Sequence, residues 1–385
     1  MRVLQVHNRY REAGGEDTVV SAEAELLRDA GHEVVDYLVD NPEGTARAAG
    51  AFALAAWNPW AERRLVSFAR DTQPDVVHVH NTWFSLSPAI VRGLSNAGFP
   101  VVMTLHNYRL LCANAALFRD GEPCELCIGG SAWNGLRHRC YRDSLAASGV
   151  AAGSITLNRS AGTWTRHVDL FLALTTFARE RFLAGGLPAE KIVVKPNFTG
   201  DPGARPAPPS SSNQIVFVGR LYGAKGVLEL IDTWQAASPR ALELVIVGDG
   251  PLRGRLEEGA PKSVRFAGPL PRDRVLELMM HARALVFPSH MYEGQPMAVL
   301  EAMAAGLPIL ASDRGGIAAT LAGAPPATLV SHDQEAWHKA VFALEDDGFV
   351  DGNGRAMRRL YEGRFTPSIA TSALVGAYET AVAGA

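Results

Sequence analysis

The chain has 385 residues, a length that suits two domains of ordinary size. Its 47% hydrophobic and 20% charged content excludes a disordered polyelectrolyte, and a net charge of −3 excludes a global electrostatic pull toward nucleic acid. No apolar run exceeds about half a bilayer span, so no transmembrane helix is expected. No signal peptide is expected either, and the reading is cytoplasmic, with contact at the inner face of a membrane left open.

Arg2–His7 reads as a buried strand. The loop Asn8–Asp17 contains Gly14-Gly15-Glu16-Asp17, and a helix rich in Ala, Glu and Leu runs to Ala30, with Gly31 as its C-cap. Glu33–Val39 is the next strand. This β-loop-α-β opening has the dinucleotide-fold order but lacks G-x-G-x-x-G, which disfavours a nicotinamide dehydrogenase. Asp75–His80 and Pro100–His106 are two further strands, with a helix over Pro88–Ala97 between them. Both strands end in histidine at the carboxyl end, where open α/β sheets bind ligands. Asp169–Thr175 and Lys191–Pro196 continue a parallel, doubly wound sheet.

The four cysteines, Cys112, Cys124, Cys127 and Cys140, fall inside one 29-residue stretch. Cys124 and Cys127 form a C-x2-C pair, with a single cysteine about a dozen residues to each side. In a cytosolic chain this clustering reads either as a structural zinc site with four thiolate ligands or as four free thiols. Disulfides would need an oxidising compartment that nothing else supports. Beside them, Trp133, Arg137, His138, Arg139 and Arg142 form a basic, aromatic stretch. It reads either as a holder of an anionic or lipid-linked molecule or as a solvated face.

Thr199–Asn213 is rich in Pro, Gly and Ser and has no apolar period, so it reads as an extended linker. Gln214–Gly219 restarts a β-loop-α unit. Its loop, Gly219-Arg220-Leu221-Tyr222-Gly223-Ala224-Lys225-Gly226, carries a basic pair that can clamp a diphosphate: Arg as a fork, Lys as a point charge. Only five of the 37 Lys and Arg residues are lysines, so a lysine at a loop position stands out. Strands over Glu243–Gly248 and Val264–Ala267 follow, the first ending in the glycine turn Val247-Gly248-Asp249-Gly250-Pro251.

Ala284–Phe287 is a short buried strand. The loop His290–Gln295, a helix over Pro296–Met303 with Pro in its first turn, and the strand Pro308–Ala311 come next. A loop at a helix N-terminus collects an anion, because unpaired N–H groups and the helix dipole point the same way. Glu293 and Glu301 frame it. The tail, Ser368–Val382, is an Ala-rich helix with Leu374, Tyr378 and Val382 on one face.

The stretch EGQPMAVLE, from Glu293 to Glu301, resembles the Glu-x7-Glu motif of retaining glycosyltransferases of family 4 (glycosyl transferases group 1, GT-B fold). Gly219 to Gly226 matches that family's G-R-(x)4-K-G. Val247–Pro251 resembles its next signature, and Phe266–Leu270 its nucleobase segment. The resemblance covers most of the chain. It is most specific over Gly219–Gly316 and weakest over Leu111–Ser154.

The resemblance implies two Rossmann-like domains: an acceptor-side domain over 1–198 with a Cys-rich insertion at 111–143, and a nucleotide-sugar-binding domain over 214–366. A linker at 199–213 joins them, and a C-terminal helix, 367–385, packs back on the first domain. It also implies residue roles. Glu293 contacts the donor sugar, Glu301 holds the nucleotide ribose, and Gly294, Gln295, Pro296 and Met297 line the sugar pocket. Gly219, Arg220 and Lys225 hold the diphosphate, and Gly15 closes over the donor phosphates. His106, preferred to its neighbour His80, faces the sugar, so the catalytic candidates are His106 and Glu293. No catalytic metal is implied, since Arg220, Lys225 and the helix N-terminus stand where a cation would.

The expected activity is retaining transfer from a nucleotide-diphosphate sugar to an acceptor hydroxyl on a sugar, a lipid-linked molecule or a small molecule. The leaving phosphate oxygen takes the acceptor proton. The alternatives are a non-catalytic or atypical nucleotide-sugar-binding protein of the same fold, and a phosphorylase. Glu301 on a ribose argues against the phosphorylase.

Overall fold

Val3–Val6, Val76–Val79 and Val101–Met103 are runs with no solvent-facing side, and they form the centre of a parallel sheet. The structure is a computed structural model that describes residues 1–10 and 14–384. Residues 11–13 of the Asn8–Asp17 loop and the last residue of the tail lie outside the described residues.

The chain divides into two units. Unit 1 comprises Met1–Arg119, Cys124–Pro196 and the residues from Ser368 on; unit 2 comprises Asp120–Pro123 and Asn197–Pro367. The strands of the first half are β1 (Arg2–Arg9), β2 (Glu33–Asp40), β3 (Val76–Asn81), β4 (Val101–Leu105), the two-residue strands β5 (Phe118–Arg119) and β6 (Glu122–Pro123), β7 (Leu170–Ala173) and β8 (Ile192–Val194). Six of them form one sheet in the order β2-β1-β3-β4-β7-β8, parallel throughout, and β5 pairs with β6 separately. The order reverses between β1 and β3, which opens a crevice at their carboxyl ends.

Unit 2 repeats the plan with β9 (Gln214–Val218), β10 (Glu243–Val247), β11 (Val264–Gly268), β12 (Ala284–Phe287), β13 (Ile309–Ser312) and β14 (Leu329–Val330), in the order β11-β10-β9-β12-β13-β14. Its reversal lies between β9 and β12, paired in register at Ile215–Ala284 and Val216–Leu285. Each face of this sheet carries its own apolar layer, one around Met303, Tyr361 and Phe365, the other around Trp234, Leu256 and Val341.

Several helices not singled out from the sequence carry local start signals. Asn58 caps Pro59–Thr72 by accepting the Ala61 N–H at 3.1 Å, with Pro at the first turn. Ser144 caps Leu145–Ser160 by accepting the Ala147 N–H at 3.3 Å.

The terminal helix Pro367–Gly384 buries Leu374, Ala377, Tyr378 and Ala381 against Val3, Val76, Val102 and Leu172 of unit 1. Its Tyr378 hydroxyl lies 2.8 Å from His78 Nδ1 under the sheet. The expected C-terminal helix is therefore present over Pro367–Gly384 and packs on the first unit.

Thr199–Asn213, the expected linker, has no regular element beyond the three-residue turn Pro209–Ser211. It is strapped to unit 2. The Tyr361 hydroxyl donates to the Thr199 carbonyl at 3.1 Å, Arg358 forks onto Asp201 at 2.7 and 2.6 Å, and Asp351 accepts from Ser210 N and Oγ. Arg205 donates to the carbonyls of Met279, Ala282 and Ala305. Prolines take N–H donors out of the backbone, and these arginine side chains supply the fastening instead.

Candidate active site

At the β9/β12 reversal, the two loops that leave the strands' carboxyl ends are stitched together. The His290 N–H donates to the Ala224 carbonyl at 2.9 Å, and Ser289 Oγ reaches the same oxygen at 3.4 Å. This joint places Lys225 Nζ 2.5 Å from Glu293 Oε1, which also accepts from Ser289 Oγ at 2.6 Å. Burial works against charge on Lys225. The nearby Glu293 carboxylate outweighs it, so the lysine pKa is raised and the ammonium stays charged. Below it lies the Phe287 ring, 5.6 Å away. Arg220 is exposed at the start of the same loop, its guanidinium 5.4 Å from the centre of the Tyr222 ring.

Gly226 makes the joint possible. It holds φ at +69°, and a Cβ there would run into the Pro288 carbonyl. Gly226→Ala is expected to cost about 2 kcal/mol or more, from strained backbone together with the collision. Urea unfolding checks this as a lower midpoint at unchanged m.

The helix Met297–Ala304 starts at the extended Pro296 with no side-chain cap, directly after the loop that carries Glu293. Glu301 projects from the middle of this helix and is buried. It accepts from Arg272 Nε at 2.7 Å, and Arg272 also donates to Thr199 Oγ1 at 3.0 Å. Burial raises the Glu301 pKa and Arg272 opposes that, with burial prevailing. Gly294, Pro296 and Met297 are half-buried at this edge. Gln295 is buried, and its side-chain oxygen accepts the Asn197 N–H at 2.6 Å. Gly219 sits at the end of β9, with its N–H donating to the Val247 carbonyl at 3.0 Å.

The sheet order thus brings Lys225 and Glu293 into contact, whereas Glu301 turns to Arg272. Ser289 and Arg272 were not singled out from the sequence. Ser289 has a readable signal, lying four residues before Glu293. Arg272 is one of many arginines, and only the packing of its helix selects it.

In unit 1, His106 follows β4, lying just past the strand rather than ending it. It is buried, with Nε2 3.0 Å from His80 Nδ1, and the two rings stack at 5.3 Å. Burial, then His7 and Lys195, push the His106 pKa down to about 3, so its imidazole is neutral at physiological pH. His80 lies inside β3, 3.0 Å from Gln5 Nε2, and burial also holds its pKa well below the ordinary histidine range.

Gly15 is exposed at the start of the helix Gly15–Asp29. Next to it stands Glu16, which accepts from Asn107 Nδ2 at 2.6 Å and which burial pushes up to about 7. Glu16 thus lies on the edge that also carries His106. Its sequence signal is the Gly14-Gly15-Glu16-Asp17 run.

The four cysteines form no disulfide and line one small cavity together with His138. Burial, and then the other three thiols, push Cys127 up to about 11. Trp133, Arg137, His138, Arg139 and Arg142 are all exposed, with Arg142 5.4 Å from the Tyr141 ring.

Two family models match the chain: "Glycosyl transferase 4-like domain" over residues 14–197 and "Glycosyl transferases group 1" over residues 212–347. The putative teichuronic acid biosynthesis glycosyltransferase TuaC of Bacillus subtilis is 34% identical over 273 residues, 67% of this chain and 60% of that protein. The D-inositol 3-phosphate glycosyltransferase of Acidothermus cellulolyticus is 29% identical over 299 residues, 71% of this chain and 60% of that protein. The matched stretch therefore spans 60% of the length of each of these two relatives.

Among solved structures, Anabaena HepE in complex with UDP and glucose gives a TM-score of 0.67 at 16% identity, covering 99% of this chain and 100% of that one. Sucrose-phosphate synthase from Thermosynechococcus elongatus gives 0.73 at 16% identity, covering 100% of both chains. Among the described residues, no helix is long and apolar enough to cross a membrane.

Proposed function

Because the chain belongs to the group 1 glycosyltransferases and has their GT-B fold, we propose that it transfers a glycosyl unit from a nucleotide-diphosphate sugar to an acceptor hydroxyl with retention of anomeric configuration. The observation that carries this reading is the Lys225–Glu293 contact at the β9/β12 reversal, beside an uncapped helix N-terminus. One ammonium proton meets Glu293, and the remaining N–H donors suit a diphosphate oxygen. Arg220 adds a second, exposed cation at the mouth of the same loop.

As the glycosidic bond breaks, negative charge grows on the leaving diphosphate, and fixed cations lower the barrier most at that point. Glu293 suits sugar hydroxyls, and Glu301 suits the two ribose hydroxyls as an acceptor. His106 enters as a neutral hydrogen-bonding group for sugar, since its depressed pKa keeps it from carrying charge. The leaving phosphate oxygen takes the acceptor proton, so no catalytic metal and no separate base are assigned. We assign the acceptor to the side bearing Trp133, Arg137, Arg139 and Arg142, which suits an anionic or lipid-linked molecule.

A thermal-shift panel of UDP, GDP, ADP and their sugars tests the donor reading. One base is expected to raise the melting temperature in a dose-dependent way, and release of that nucleoside diphosphate is expected to accompany transfer. No shift with any member would overturn the reading, and binding without diphosphate release would favour a non-catalytic binder.

Glu301 supplies a pH signature. Ribose hydroxyls need an ionised acceptor, so nucleotide affinity is full above the raised Glu301 pKa. It falls as pH drops through that value, starting at a higher pH than an ordinary glutamate would. Stability moves in the opposite sense. A carboxyl that protonates more readily when folded favours folding at low pH, and that contribution is lost as pH rises. Titration calorimetry in a pH series from neutral down through the carboxylate range is expected to show the loss in wild type, and uniformly weak binding in Glu301→Gln.

A further inference from the structure

The segment between β4 and the helix Leu145–Ser160 has very little regular structure to hold it. Its elements are the β5–β6 pair and the short helix Asn134–Arg137. Of the nine described non-glycine residues with positive φ, six lie here: Ala115, Leu117, Asp120, Arg139, Arg142 and Asp143. Left-handed backbone at side-chain-bearing residues is unfavourable and persists only where the surroundings over-determine it. Short loop-rich segments of this kind are commonly held by a metal or by disulfides.

Four separate turns deliver the four thiols to one place. Cys112 closes a turn through its N–H to the Tyr108 carbonyl at 2.8 Å. Cys124 donates to the Leu117 carbonyl at 2.7 Å and Cys140 to the Gly135 carbonyl at 2.9 Å, while Cys127 lies in the turn closed by Ile128 N–H on Glu125. All four line a single cavity with room for about one atom-sized guest, and His138 lines it too. Four thiolates around one point repel unless a dication sits among them.

We propose that Cys112, Cys124, Cys127 and Cys140 bind one structural zinc ion that fixes the loop following β4. Four thiolates with no open position make a closed, structural tetrahedral site. Zinc suits that donor set.

Among the described residues, the metal-like grouping with all donor atoms within 4.8 Å of one another is Glu23, His78 and His80, and there Lys195 already pairs with Glu23. No three of the cysteine sulfurs lie that close to one another, and Cys112 Sγ donates to Asn114 Oδ1 at 2.9 Å. Rotation about χ1 moves a sulfur between staggered positions with no backbone change. Zinc binding then releases Cys112 from Asn114 and draws the thiolates inward. The first ligand lies six residues after His106, so the site also steadies the end of β4.

The test uses the full chain, purified without chelator and without a nickel column. Mass-spectrometric metal analysis is expected to find about one zinc per chain, with the four thiols slow toward Ellman's reagent until an organomercurial releases the metal. Replacement by Co(II) is expected to give thiolate-to-cobalt charge-transfer bands and tetrahedral d–d bands. Cys124→Ser is expected to lose the metal, whereas Cys140→His keeps it, because imidazole is also a zinc ligand. The second variant holds the test open if the first does not fold. Four thiols that react at once and gain no protection from added zinc sulfate would overturn the proposal. So would a pair of thiols lost to a disulfide, or stoichiometric iron with a visible chromophore.

Discussion

Replacing Lys225 with alanine is expected to lower donor turnover by about two to three orders of magnitude, the scale seen when one fixed donor is taken from a developing anion. The ammonium is held in place on three sides. Glu293 Oε1 lies 2.5 Å away, the Phe287 ring lies beneath, and Gly226 closes the turn against Pro288. It is therefore pre-organised, and its charge acts where burial limits screening by water. The effect belongs in kcat more than in KM, because the diphosphate gains charge only as the bond breaks.

Lys225→Arg is expected to recover only part of the activity. A planar fork does not fit the position of a point charge beside Ser289 and Glu293. Lys225→Ala is also expected to lose some stability, since it leaves the largely buried Glu293 carboxylate with the Ser289 hydroxyl alone. Nucleoside-diphosphate release at saturating donor, paired with a melting curve, separates the two effects. Wild-type kcat in Lys225→Ala would remove the diphosphate clamp from the mechanism.

A second lysine is expected to matter for folding. Lys195 is 1% exposed and pairs with Glu23, which is 0% exposed. The other basic groups facing Glu23, His78 Nδ1 and His80 Nε2 at 3.8 Å from its second oxygen, are held neutral by burial. Lys195→Met therefore strands a carboxylate beneath the sheet, and breaking such a buried pair from one side costs about 3–5 kcal/mol. The double variant Glu23→Gln/Lys195→Met removes both charges and is expected to regain most of that loss. A urea-unfolding double-mutant cycle measures the coupling. A loss under about 1 kcal/mol in Lys195→Met would show that the pair contributes little.

The distance between these partners marks the limit of what a linear reading sees. Glu23 and Lys195 are 172 positions apart, and nothing in the runs around either one announces the other. Lys225 and Glu293 were each legible, because a lysine after a strand-end glycine and a glutamate before a proline-started helix are local patterns. Their contact was not legible. It exists because β12 pairs with β9, and strand order is set by which apolar faces pack best across the whole sheet. The fastening of the Pro- and Ser-rich stretch from Thr199 to Asn213 was hidden for the complementary reason. Its composition describes the backbone alone, while Arg205 and the distant Arg358 and Tyr361 tie it down.

By itself the sequence determined what is local and periodic in this protein. The β-branched runs became strands, the capping and proline signals started helices, and the glycine and acidic motifs marked the chemistry at strand ends. Only the tertiary structure decided which of those ends meet, which charges are buried together, and that four thiols face one cavity. Propensity acts over a few residues, whereas burial and pairing are set by segments that the chain keeps far apart.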